Sequence, residues 1–573
     1  MIPLLLNALK ALSLQKQLNS SDAALILKSL LHNQHFQVQS LRRGERLAIF
    51  QTVTNIFSYF SMKQLLTCKE SAVTFTNNEL LLGLIQAVEA EKHPNNLMIC
   101  FDLCTTAATT LDLAQLGKSI NPLLVYCTLL SHQFWTGDEL FDVVSCYFPI
   151  DFTAPPGKNE ITADDLRASL RKFMTSNACF ALQGIPLAIE KLTSSIPSAR
   201  IEAAQLLEQM AVHFPTSCFK PFTLTLWDAL QSEIFNPLGT QATQIDQFTK
   251  CLTSIVKNLQ KDEAIFKEFL KISSTQLDRF IIDESLRFVK PSARAISCFL
   301  QGLTQPSPHL QHFLEKYLEV YKKCDSDRKR GIVLQAFDIV LATNPLAAEI
   351  ESNLSEEILA ILLTFCSTTC VCGDVNQNSS TEGIESAFKC LGNLIKFSGT
   401  ENLIPLRTKS LDAVMLLLLN PKFLDIAKPF AINCVSLLVE NSKIEDLSHD
   451  IKNIDLLIEH VEKCPNETMI YWQSLVIALC KSRASAQYFS EKCVKWHCDG
   501  KEQLVMHMIE SLLVLYQRNP AIGRTIETML VDFLKNRMLA SETLRRLIAQ
   551  VVSCCWITHL PQFLLVFLFL AKS

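Results

Sequence analysis

Apolar side chains recur at three- and four-residue spacing along almost the whole chain, as in Ala203, Leu206, Leu207, Met210 and Ala211, whereas strict strand-like alternation is hard to find. Such spacing lays one apolar stripe along a helix, so the chain reads as all-α. The stripes arrive in pairs: Leu182 to Leu192 with Ser198 to Val212, Leu310 to Lys323 with Arg328 to Ala342, Ser355 to Thr368 with Thr381 to Phe397, and Leu403 to Leu419 with Asp425 to Glu440. The second members begin near 198, 328, 381 and 427, and a further helix is expected from Pro291 to Leu303. The separation of roughly 40 to 50 residues is the period of stacked two-helix units. The predicted fold class is an all-α, HEAT/armadillo-type α-solenoid.

Proline placement fits helix hairpins. Pro186, Pro291 and Pro405 are expected in or near first helical turns, where a missing N–H costs nothing, and Pro197 and Pro421 between paired helices. Asp151 to Asp164, Asn236 to Thr243 and Gly373 to Ser380 read as inter-repeat loops, too short to be disordered linkers. Across one hairpin, Ile189 and Leu192 should face Ile201, Ala204 and Leu207.

Composition narrows the function classes. Of 573 residues, 49% are apolar and 19% charged, with only 15 glycines, so a large core is available while little turn material is. Nucleotide-binding α/β domains are disfavoured, because phosphate loops need glycine where a Cβ would block the ligand. A formal charge of −4 gives no electrostatic support for binding a phosphate backbone. The 21 cysteines are scattered, mostly within apolar runs, which fits reduced thiols rather than a disulfide framework.

Candidate chemistry is sparse. Gly117-Lys118-Ser119 has the ending of a phosphate loop, but Asp112 stands where that motif requires glycine. No HExxH or GxSxG is present, and the 12 histidines sit beside no cysteine or serine in a known catalytic spacing. No residue is singled out as catalytic or cofactor-binding. Cys366, Cys370, Cys372 and Cys390 form one candidate metal group, and Cys493, His497 and Cys498 another, although neither has the paired CxxC of a zinc site. Cys366 and Cys370 lie one helical turn apart, so small apolar thiols on an ordinary core helix explain them better. Asp164 and Asp165 follow Thr162 at a helix start, where capping explains them. Leu411 to Leu419 is too short to cross a bilayer and reads as a core helix. Residues 551–573 are an atypical apolar tail divided by Pro561, long enough to span a membrane yet better read as a solenoid end. The first residues carry no basic n-region, and no signal peptide is read there.

One stretch is distinctive: Phe141-Asp142-Val143-Val144-Ser145-Cys146-Tyr147-Phe148-Pro149-Ile150-Asp151-Phe152-Thr153, followed by Pro155-Pro156 and by Asp165 to Leu170. It continues into Ile185 to Leu192 and Ser198 to Arg200, and two further segments lie upstream, Val38 to Arg46 and Glu91 to Leu97. These segments resemble the MMS nineteen proteins, large HEAT-repeat subunits of the cytosolic iron–sulfur assembly targeting machinery. The recognisable part runs from about Phe36 to Phe235. Residues 1–235 are therefore read as N-terminal repeats of this kind, 236–550 as continuing HEAT-type repeats, and 551–573 as the tail.

The resemblance implies a non-enzymatic adaptor that recruits apo-proteins of DNA repair and replication for iron–sulfur cluster insertion. The implied partners are the targeting subunits and client helicases and polymerases, with no direct nucleic acid, no membrane and no cofactor of its own. The implied location is cytoplasm and nucleus. Members of the family are longer at both ends, so the chain is expected to begin within the N-terminal repeats and to stop before those that dock the assembly factors. A karyopherin-like transport receptor would show the same periodicity, and a cysteine-ligated metal or cluster carrier is the reading from a different class.

Overall fold

The computed structural model describes residues 2–13, 18–31, 41–61, 77–89, 91–111, 137–151, 161–235, 242–343, 349–371, 381–397, 403–440 and 452–457, with a few single residues and pairs elsewhere up to 492. The chain divides into two compact units, Met1–Gln276 and Leu277–Ser573. Among the described residues every regular element is a helix and none is a strand.

In the first unit the helices are α1 (Ile2–Ser13), α2 (Ser20–Leu31), α3 (Arg43–Tyr59), α4 (Asn77–Val88), α5 (Pro94–Thr110), α6 (Gly137–Ser145), α7 (Ala163–Met174), α8 (Ala181–Leu192), α9 (Pro197–His213), α10 (Thr223–Phe235) and α11 (Ala242–Leu259). Helix α12 (Glu263–Ile282) contains the division between the units. Their packing is that of a solenoid, because each helix stacks on the next but one. Helices α1, α3, α5, α7, α9 and α11 form one row, and α2 with α4, α4 with α6, and α8 with α10 form another. A short 3-10 turn, Ala178–Phe180, joins α6 to α8, where Phe180 packs its ring 5.2 Å from that of Phe141.

The second unit repeats the scheme. Its helices are α13 (Val289–Gly302), α14 (Ser307–Lys323), α15 (Asp327–Ala342), α16 (Ser352–Val371), α17 (Thr381–Leu394), α18 (Leu403–Leu418) and α19 (Lys428–Glu440). Helices α13, α15, α17 and α19 stack as one row and α14, α16 and α18 as the other. The second helix of each expected pair thus begins at Pro197, Asp327, Thr381 and Lys428, within two residues of the positions read from periodicity. Helix α16 is long and apolar enough to cross a membrane by composition alone, yet it lies between α14 and α18 with Ile358, Leu362 and Cys366 buried, as a core helix does.

Three expectations need correction. Pro186 sits inside α8, a turn deeper than expected. Pro197 is the first residue of α9 rather than a linker residue, a position where its fixed φ suits the helix. Leu192, Ala204 and Leu207 are fully buried in the α8–α9 hairpin, but Ile189 and Ile201 are only partly covered. The loops at 152–160, 236–241 and 372–380 and the tail 551–573 lie outside the described residues.

Candidate functional site

The family-like segments come together as internal ties of the first unit. Arg46 on α3 forms a bidentate pair with Glu91, in the turn before α5, through Nε at 2.7 Å and Nη2 at 3.0 Å. Glu91 also accepts the backbone N–H groups of Lys92 and His93 and the side-chain amide of Asn96, each at 3.0 Å. Burial pushes the Glu91 carboxyl up, but these bonds and the Arg46 charge outweigh it and hold the group below its ordinary range. Tyr147, after α6, donates its hydroxyl to Val88 O at 2.7 Å and to Glu91 O at 2.8 Å, while its ring meets Phe101 edge-on. Three helical layers are thereby fixed at one polar node.

A second node follows one repeat later. Arg167 on α7 reaches Glu202 on α9 at 2.6 Å and Ile150 O at 3.1 Å, and Glu202 accepts the Ile150 N–H at 3.2 Å. Both polar groups of Ile150 are thus held by one ion pair, which fixes the segment Tyr147 to Ile150 without reading its side chains. Phe148 and Ile150 are buried beneath it. The pattern continues with Arg200 and the buried Glu233 at 3.4 Å, and with Asn258 donating to Ala211 O and Phe214 O, the orphan carbonyls that end α9. The large side chains of Phe141 to Ile150 are therefore structural anchors; Phe152 and Thr153 lie outside the described residues.

Asp165 closes a capping box with Thr162, and Asp164 pairs with Arg167 at 2.9 Å, so both carboxylates serve the start of α7. Cys366 and Cys370 are buried on α16 and Cys390 on α17; Cys372, Cys493, His497, Cys498 and Gly117 to Ser119 lie outside the described residues. Burial pushes the Cys366 and Cys390 thiols far up and Cys370 to about 11, which favours the protonated thiol over the thiolate that a metal needs. Among the described residues no group of His, Cys, Asp and Glu has metal-binding geometry.

A groove of about 610 Å³ lies over α7, flanked by the last turns of α5 and α9. Thr105, Thr109, Lys172, Thr175, Ser176, Glu208 and His213 are among its walls. Sequence reading missed both the groove and the buried ion pairs. A lone charge within an apolar helix face, such as Glu202 between Ile201 and Ala203, was the available signal.

Two rows of helices stacked next-but-one, tied by buried side chains and carrying an open groove, define an α-solenoid of the HEAT or armadillo type. Within that class, residues 1–236 match the MMS19_N family, described as Dos2-interacting transcription regulator of RNA-Pol-II. The chain is 27% identical over 341 residues to an MMS19 nucleotide excision repair protein homolog of Bos taurus, an alignment covering 58% of this chain and 30% of that protein. The Homo sapiens homolog gives the same identity and coverage, and the Drosophila melanogaster MMS19 nucleotide excision repair protein is 30% identical over 237 residues, 41% of this chain and 21% of that one. The likeness to the MMS nineteen proteins is thereby shown, strongest in the first 236 residues. The matched region spans less than a third of these relatives' length. Crystal structures of Kap121p, alone and bound to Pho4p, each cover 96% of the chain and 55% and 56% of those proteins, at 14% identity and TM-scores of 0.45 and 0.46. That likeness is too slight to carry weight.

Proposed function

We propose that this chain is a non-catalytic adaptor of cytosolic iron–sulfur protein assembly, which holds apo-proteins of DNA repair and replication so that they receive their clusters. The observation that carries the reading is the MMS19_N match over residues 1–236, supported by relatives named as nucleotide excision repair proteins. The family-like residues Arg46, Glu91 and Tyr147 bond to one another inside the unit, which leaves the outward faces of the helices for partners. A solenoid suits that task, since it offers long rows of surface without a closed catalytic cleft. The expected partners are client helicases and polymerases together with the assembly targeting subunits, met in the cytoplasm and nucleus, with no direct contact to nucleic acid or membrane.

Affinity purification of the tagged full chain followed by mass spectrometry tests this. Helicase or polymerase subunits and the assembly targeting factors should be enriched; recovery of neither group sinks the adaptor reading. Anaerobically purified protein should be colourless, whereas visible absorption with stoichiometric iron would favour a cysteine-ligated cluster carrier instead.

A further inference from the structure

The groove over α7 has an unusual hydrogen-bonding character. Four hydroxyl-bearing residues line it, Thr109 exposed, Ser176 half-buried, and Thr105 and Thr175 largely buried, and each directs its proton back to a backbone carbonyl. Thr105 Oγ1 donates to Phe101 O at 2.7 Å, Thr109 Oγ1 to Thr105 O at 3.0 Å, Thr175 Oγ1 to Arg171 O at 2.9 Å and Ser176 Oγ to Phe173 O at 2.7 Å. What they offer to an occupant is lone pairs alone. His213 Nδ1 lies 2.9 Å from Gln209 O, which only accepts, so Nδ1 carries a proton and is taken up within its own helix. Glu208 adds a carboxylate, one oxygen of which holds the Gln247 amide at 2.7 Å. Donors come only from Lys172 and the Gln209 amide among the lining side chains.

Electrostatics point the same way. Helices α5, α7 and α9 end at Thr110, Met174 and His213, beside the groove. Each C-terminus contributes partial negative charge, which adds to the Glu208 carboxylate opposite the one lysine, Lys172. Ala168 and Ala178, also in the lining, are small and exposed.

We propose that this groove seats an arginine side chain presented by an extended basic segment of a partner protein. A guanidinium supplies five N–H donors in one plane and no acceptor, which suits a lining rich in acceptors, and its face suits the small alanines. The volume lies within the range of ordinary ligand sites. The inference rests on the adaptor reading and names the chemistry of one partner contact.

Fluorescence anisotropy with the purified full chain tests it, using a fluorescein-labelled heptapeptide with a central arginine flanked by serine and leucine, and the same peptide with citrulline. Arginine should bind at least about tenfold tighter than its neutral isostere, since bonds from a charged donor are roughly twice as strong. Glu208→Gln and the exposed Thr109→Val should each weaken binding severalfold, while Lys172→Ala should tighten it, with circular dichroism unchanged in all three. Equal binding of the citrulline peptide, or no response to Glu208→Gln, overturns the proposal. Weaker binding with Lys172→Ala also overturns it and marks an acidic occupant. Ala168→Trp, which adds bulk to the lining, separates the two readings: if it retains the wild-type partners in affinity purification, the groove proposal falls and the adaptor survives. A wild-type chain that retains no partners at all sinks the adaptor whatever the peptides do.

Discussion

Glu91 gathers two guanidinium nitrogens, two backbone N–H groups and an amide on one carboxylate that is 1% exposed. Its removal strands all of these donors, including a charged one with 12% side-chain exposure. Glu91→Ala should therefore destabilise the first unit by about 3–5 kcal/mol, as broken buried pairs do, and Tyr147→Phe by about 1–2 kcal/mol through the carbonyls it leaves unmet. Thermal denaturation of both variants checks this; equal, small effects would mean that solvent replaces the node. Asp338 poses the opposite case. Burial pushes its carboxyl up to about 6 despite Lys389 and the Ser386 hydroxyl, with Glu385 adding to the rise. Because the folded value lies above the unfolded 3.8, the group favours folding relatively below that value and costs stability as pH rises through 6. Asp338→Asn should raise stability at pH 7.5 by roughly 2 kcal/mol, after allowing for partial solvent screening, and change little at pH 4. A gain that is equal at both pH values would show that charge is not the cause.

At the scale of the helix, close approach sets the tolerances. A Cβ on Gly83 of α4 would lie 2.6 Å from Leu31 Cβ and 2.9 Å from Leu31 O on α2, and backbone cannot yield cheaply. On Gly184 of α8 it would meet the terminal methyl of Met210 at 2.6 Å, which can swing aside. Gly83→Ala should thus cost about 1–3 kcal/mol and Gly184→Ala distinctly less; the reverse order in urea unfolding would contradict this packing. Helix existence was legible because the apolar period is local: the starts at Pro197, Asp327, Thr381 and Lys428 fell where the stripes placed them. The partners of Arg46, Arg167 and Arg200 were not, since the acids they meet stand 45, 35 and 33 residues away. No spacing rule within one helix encodes a contact between two. The groove was illegible for the same reason, being assembled from the ends of three helices. Pro186 was misplaced by a turn because Ala178–Phe180 adds a 3-10 turn before α8 that apolar periodicity does not reveal.

Across the whole molecule, the ties join near neighbours in the stack: Arg46 to Glu91, Arg167 to Glu202, Gln247 to Glu208, Gln335 to Glu382. Stability in such an array is close to a sum of repeat and nearest-interface terms, so unfolding need not be all-or-none. Hydrogen exchange followed through a urea series should release peptides from α8–α11 and from α15–α19 at different denaturant concentrations. One concerted release of every peptide would contradict this. The next-but-one stacking of the helices has a further consequence for how such a chain changes over time. When each repeat touches only the one before and the one after, a whole helix pair can be gained or lost by rejoining two compatible faces, whereas a shift of a few residues would tear every tie across the join. Length should therefore vary among related chains in steps of a full repeat, with the two side chains tied across each seam retained as a matched set.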